Sequence, residues 1–185
     1  MNLEELAIKH GTDKQSKNGH SYTPFYERYF EPRRNEKLNL FELGVREGWS
    51  INLWLEYMPN AEIWCLDNDK EGKCPAKFDS SRVHFTFCSQ TDKDALNEIH
   101  KRSGNYDIVI DDASHVSPFT IISFETIFPN VKSGGIYVIE DLHISDVLEY
   151  NPYGPSILNY LQHLHRDDIK SLNIFNNKIC FIEKK

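Results

Sequence analysis

Apolar positions along this chain alternate between short runs and longer stretches with helical spacing. LNLFEL (38–43), AEIWCLD (61–67), VHFTF (83–87), YDIVIDD (106–112) and GIYVIED (135–141) are short and rich in β-branched and aromatic residues, and they read as strands. The last of these is entered through a turn at Ser133, Gly134 and Gly135. Residues 47–57 present Trp49, Leu53, Trp54 and Tyr57 for helical packing, and a second helix is predicted near 92–102. A third starts at Pro118, with Ser117 as its expected N-cap and proline at its first position. A helix near 153–165 precedes IKSLNIF and KICFIEK, two strands joined by an Asn176-Asn177 turn. Ahead of the first strand, Leu3, Leu6 and Ala7 mark an amphipathic start. Tyr22, Phe25, Tyr26, Tyr29 and Phe30 then follow the i, i+3, i+4, i+7 rule of a helix packed on the core. Strands alternating with helices imply right-handed crossovers and a mainly parallel sheet covered on both faces. The expected fold is a three-layer α/β, Rossmann-like sheet ending in an antiparallel hairpin, one domain over residues 1–185 with residues 1–35 as a helical cap.

Composition narrows the choice of partners. The chain has 185 residues, 21 Lys plus Arg against 28 Asp plus Glu, and a net charge of −7. That balance argues against non-specific binding to nucleic acid or anionic lipid. No apolar run approaches the roughly 18 residues of a membrane span, and the Met1–Glu5 start is acidic where a secretory signal is basic and then apolar. Cys65, Cys74, Cys88 and Cys180 are scattered and form no metal-binding pair. A cytoplasmic location is expected, and homo-oligomerisation stays open.

Ligands of such sheets bind beyond the carboxyl ends of the strands. The first strand ends in FELGVREGWS, where Gly44 suits a tight turn and Gly48 a close backbone approach to a ligand. Arg46 occupies the second glycine position of a dinucleotide fingerprint, which counts against a pyrophosphate on this turn. Asp67, at the end of the second strand, is placed to accept hydrogen bonds from ribose hydroxyls, or else to cap its own turn with Asn68 and Asp69. Glu42, just before the glycine turn, fixes the turn or meets a cationic amino group, or else simply pairs with a lysine. Ser89 and Gln90, after the third strand, either touch an adenine edge or belong to the N-cap of the next helix.

The richest chemistry sits at the next two strand ends, Asp111-Asp112-Ala113-Ser114-His115 and Glu140-Asp141-Leu142-His143. Carboxylates gathered there repel one another unless a cation joins them. Mg²⁺, which takes one or two carboxylates plus waters and substrate oxygens, suits the set better than zinc. His115 is the candidate base beside these acids, with His143 as the alternative.

These residues carry a family resemblance. GTDK followed by His20-Ser21-Tyr22, the FELGV…G.S…W stretch (41–54), DIVIDDASH (107–115) and SGGIYVIEDLH (133–143) resemble the motifs of class I methyltransferases. The likeness is to the macrolide-sugar O-methyltransferases of mycinamicin type, with a cephalosporin-hydroxylase-like group nearby, and it spans about residues 8–183. It implies S-adenosylmethionine as cofactor, Mg²⁺ held by Asp112, Glu140 and Asp141, and His115 as general base. It places Gly44, Gly48, Ser50, Asp67, Ser89, Gln90 and the GTDK residue Thr12 in the cofactor pocket. Trp49 stands where members often carry a further glycine, and the matching stretch does not include the long N-terminal domain of the macrolide enzyme. The implied reaction is Mg²⁺-assisted methylation of a sugar or other vicinal-diol hydroxyl on a small, polyketide-like acceptor. The alternatives are a dinucleotide-binding oxidoreductase and a cofactor-binding domain without catalysis.

Overall fold

The computed structural model describes residues 1–75 and 78–185. Seven strands form one sheet: β1 (Asn39–Leu43), β2 (Glu62–Asp67), β3 (Val83–Phe87), β4 (Tyr106–Asp111), β5 (Val131–Ile139), β6 (Ile169–Phe175) and β7 (Ile179–Lys184). Their order is β3-β2-β1-β4-β5-β7-β6. Neighbours from β3 to β5 run parallel, and β7 is antiparallel to both β5 and β6. The Asn176-Asn177 turn has both φ angles positive (54° and 52°), the geometry whose twist matches a tight hairpin.

Period-two alternation distributes side chains between two cores. Leu40, Ile108, Ile110, Ile136 and Val138 enter one core with α1 (Leu3–His10), α2 (Thr23–Phe30) and α3 (Trp49–Tyr57). Phe41, Leu43, Val109, Tyr137 and Ile139 enter the other with α4 (Lys93–Ser103), α5 (Ser117–Ile127) and α6 (Ile157–Gln162). The same alternation carries Glu42, Asp112 and Glu140 to the α1–α3 side and Asp111 to the other. Chain order turns back between β1 and β4, so a crevice opens at their carboxyl ends. Among the described residues, no helix is long and apolar enough to cross a membrane.

Three expectations need correction. Val116, not Ser117, is the N-cap of α5, and it offers no side-chain cap. Ser117 is the first helical residue, and its hydroxyl accepts from Ile157 N (3.0 Å), so it serves the start of α6 instead. That helix is shorter than 153–165, because Pro152, Gly154 and Pro155 delay it until Ser156 caps Asn159 N. Finally, β5 begins at Val131, and the expected 133–135 turn lies within it as a bulge. The β4–β5 register passes from Tyr106↔Val131 to Ile108↔Ile136 across it.

Candidate active site

A pocket of about 660 Å³ opens over the carboxyl ends of β1, β2 and β4, within the range that holds small-molecule ligands. Its lining includes Thr12, Gly44, Ser50, Asp67, Ser89 and Gln90 on one side and Asp112, His115 and Asp141 on the other. Gly44 has φ 92°, and a Cβ there would lie 2.0 Å from the Asp112 carbonyl oxygen. Glycine is therefore what lets the β1 and β4 loops close on each other. Gly48 is different, since its missing Cβ makes room for Phe78 (2.9 Å) and Pro75 (3.0 Å), and it lies outside the pocket lining.

Asp67 organises the glycine-loop side of the pocket. Its Oδ2 accepts from Val45 N (2.7 Å) and Arg46 N (2.9 Å), and its Oδ1 from Asp69 N (2.7 Å). The carboxylate thus shapes the glycine loop and its own turn while still facing the pocket. Gln90 is buried, with its Oε1 accepting from Ser114 N (3.0 Å) and its Nε2 directed at Asp111 Oδ1 (3.4 Å). It pins the loop that carries His115. The cap of α4 comes from Asp92, whose carboxylate accepts from Ala95 N.

The acidic side is built around a residue that sequence reasoning missed. Lys14, 1% exposed, reaches from the loop after α1 into the α1–α3 face of the sheet. Its Nζ lies 2.5 Å from Asp112 Oδ2, 2.8 Å from Glu140 Oε1 and 3.7 Å from Glu42 Oε1. Burial alone would lower its pKa, but the three carboxylates outweigh burial and hold it well above the ordinary lysine value. Glu42 is fully buried, donor to nothing and accepting from Ser50 Oγ (3.1 Å). Burial, partly offset by Lys14, pushes its pKa up to about 7. Glu42 therefore stands beneath the pocket floor rather than in its lining.

Glu140 is equally enclosed, and burial followed by repulsion from Asp112 raises its pKa well above the usual range. Its Oε1 also accepts from the Tyr26 hydroxyl, while the Tyr22 hydroxyl donates to Asp141 Oδ1 at 2.5 Å. Burial and the neighbouring carboxylates push both phenols upward, so they stay protonated donors. The aromatic helix face is thus core packing, as its spacing predicts, with two hydroxyls entering the site. A signal existed: buried tyrosines, unlike Phe25 and Phe30, require polar partners.

His115 faces the acids, its Nε2 3.4 Å from Asp141 Oδ2 and 4.0 Å from Asp112 Oδ1. Asp112, His115 and Asp141 offer ligand atoms all within 4.8 Å of one another, and Glu140 falls outside that group. Two carboxylates open to a pocket fit a hard divalent ion that keeps room for substrate oxygens. His143 lies on the far side of Asp141, outside the lining, with Nδ1 3.9 Å from Oδ1. Burial, with His20 and Lys178 adding to it against Asp141, lowers its pKa. His115 (φ 58°), Asp141 (φ 56°) and Arg46 (φ 48°) all take the left-handed conformation in the pocket wall. Such strain is held in place where surrounding contacts over-determine it.

This sheet order, with its reversed last strand and acid-tipped crevice, is the architecture of class I methyltransferases. A family model described as a methyltransferase domain matches residues 41–142, more than half of the sequence, and the chain belongs to that family. It is 35% identical over 151 residues to the 8-demethyl-8-alpha-L-rhamnosyl tetracenomycin-C 2'-O-methyltransferase of Streptomyces olivaceus, covering 77% of this chain and 38% of that protein. It is 36% identical over 148 residues to the mycinamicin VI 2''-O-methyltransferase of Micromonospora griseorubida, covering 76% and 36%. The chain thus spans less than two-fifths of the length of these relatives. Among solved structures, the MycE methyltransferase in complex with Mg, SAH and mycinamycin VI superposes with a TM-score of 0.84 at 29% identity, over 100% of this chain and 53% of that one. The methyltransferase family match leaves the dinucleotide alternative without support.

Proposed function

We propose that this chain is a Mg²⁺-assisted, S-adenosylmethionine-dependent O-methyltransferase acting on a sugar hydroxyl of a polyketide-like glycoside. The observation that carries this reading is one pocket that joins Asp67 and the Gly44 loop to Asp112, His115 and Asp141. When bound, S-adenosylmethionine supplies an electrophilic methyl group, and Mg²⁺ favours ionisation of the acceptor hydroxyl. Asp67 would accept from the ribose hydroxyls with the lone pairs its loop amides leave free, and Thr12, Ser50, Ser89 and Gln90, which line the same pocket, would border the cofactor. Gly44 lets the β1 and β4 loops close on each other, and Gly48 leaves room for Pro75 and Phe78 at the start of α3. Glu42 acts from below, as the partner of Lys14 and Ser50.

Asp112 and Asp141 would hold the metal ion. Glu140 lies outside that close group, its Oε1 taken by Lys14 and Tyr26, and would join the ion only through Oε2. His115 Nε2 takes the acceptor's proton, and Asp141 Oδ2 beside it stabilises the imidazolium that forms. Relatives that act on rhamnosyl tetracenomycin and mycinamicin support a glycosylated acceptor with vicinal hydroxyls. Residues 1–185 are read as one domain, because α1 and α2 share a core with α3 and the sheet. The free thiols Cys65 and Cys180, both buried, suit the reducing cytoplasm.

The test combines calorimetry and turnover. The protein is expected to bind S-adenosylmethionine and not NAD, and Asp67→Ala to weaken that binding ~10- to 100-fold, the value of hydrogen bonds to a charged group. With Mg²⁺ and a panel of glycosylated polyketides, methyl transfer to a sugar hydroxyl is expected, and a chelator should abolish it. Cofactor binding with no transfer to any glycoside would leave a binding domain in place of an enzyme.

A further inference from the structure

Asp141 divides its two oxygens between different surroundings. Oδ2 faces His115 and the pocket, whereas Oδ1 accepts from the buried Tyr22 hydroxyl and lies 3.7 Å from His20 Nδ1 and 3.9 Å from His143 Nδ1. Ligand atoms of His20, Asp141 and His143 all lie within 4.8 Å of one another. We propose that these three residues form a second metal site, selective for a borderline-soft divalent cation such as Zn²⁺ or Co²⁺, with Asp141 bridging it to the pocket.

Geometry supports the assignment. Bonds of about 2.0–2.1 Å around a tetrahedral zinc separate adjacent ligands by roughly 3.3 Å. The two observed histidine–carboxylate separations exceed that by about half an ångström, which small side-chain rotations can close. Three protein ligands then leave a fourth position for water. Both imidazoles are about one-third exposed (35% and 34%), so an ion can enter from solvent.

The outer partners also fit. The second nitrogen of His20, Nε2, lies 3.8 Å from Asp13 Oδ2, beyond hydrogen-bond reach but near enough for that carboxylate to orient the ring after a small rotation. His20 stacks on Tyr22 (5.3 Å between centroids, 17° between planes), and the Tyr22 hydroxyl holds Asp141 Oδ1. Ligand chemistry separates the two sites: paired imidazoles favour zinc or cobalt, and the Asp112–Asp141 oxygens favour magnesium. The proposal does not rest on methyl transfer.

The test uses the full chain with Co²⁺, followed by visible absorption, and with Zn²⁺, followed by calorimetry. Wild type is expected to give an imidazole-ligated Co²⁺ spectrum. His20→Ala and His143→Ala should each weaken Zn²⁺ by more than the roughly 10- to 100-fold cost of losing an outer partner alone. Both should bind Mg²⁺ as wild type does, and Asp112→Asn should keep the Co²⁺ spectrum. Melting curves will show that these surface variants remain folded. Unchanged Zn²⁺ affinity in both histidine variants overturns the proposal. So does a Co²⁺ spectrum that survives in them but is lost in Asp112→Asn and His115→Ala, because the ion would then sit in the pocket.

Discussion

His115→Ala tests the proposed base apart from everything else in the pocket. The imidazole touches Asp141 and borders the acceptor space, but it carries no core packing. Its loss should lower kcat by about 10²–10⁴-fold and change KM little, since a base acts chiefly in the transition state. Wild-type rate should rise with pH and then level off. The variant should keep rising, because more acceptor hydroxyl ionises without help. A pH–rate profile of both proteins at saturating Mg²⁺ and cofactor reads this directly. A variant with wild-type turnover and profile would move the role to another group. At this scale the gathering of Asp112, His115 and Asp141 was legible, because the loops that carry them follow two neighbouring strands. Lys14 was not, since nothing in GTDK says that its side chain turns inward. Only the period-two rule applied across three strands, with Glu42, Asp112 and Glu140 on one face, shows that a cation is required there.

Element boundaries followed local chemistry wherever one element decided them, and failed where two elements shared a group. Ser117 illustrates the failure: Ser-Pro reads as cap and first turn, yet the hydroxyl bonds Ile157 N forty residues on. Ser117→Ala should therefore cost on the order of 0.5–2 kcal/mol, the range for a lost cap, although it does not cap its own helix. Urea unfolding would measure this. Native-state hydrogen exchange should show faster opening at Ile157 and its neighbours than within α5. If protection falls in α5 instead, Ser117 acts on its own helix after all. The β5 bulge has a similar origin, because the turn residues 133–135 sit inside a strand whose pairing with β4 resumes beyond them.

The whole molecule carries a charged centre that must be neutralised for the fold to hold. Lys14→Met would leave Asp112, Glu140 and Glu42 without their buried cation, and a loss of about 3–5 kcal/mol is expected in denaturant titrations. A wild-type midpoint would mean that the ammonium stabilises nothing. On the other face, burial raises the pKa of Asp111 from 3.8 to about 6, against the hydrogen bonds from Ser123 and Tyr137. The folded state therefore binds the proton more tightly than the unfolded chain. The stability this group contributes is full below about pH 4 and is lost as pH rises through about 6. Asp111→Asn, which cannot ionise, should gain on wild type by roughly 2–3 kcal/mol between pH 4 and 7. Any change in its hydrogen bonding adds only a constant offset. A pH-independent difference between the two proteins would refute the shift.

The sequence by itself determined the strands, their parallel-then-antiparallel order of use, the glycine loop and the acids at two strand ends. Hydrophobic period and turn chemistry act within a few residues, so a linear reading captures them. Tertiary structure alone decided that Lys14, Tyr22 and Tyr26 join those acids, and that Gly48 packs on Phe78. It also decided that the two oxygens of Asp141 face different histidines. These facts depend on register and on contacts between residues 14 and 112, 26 and 140, or 20 and 141, far apart along the chain. Burial makes each such partner obligatory, but only folding chooses which one it is.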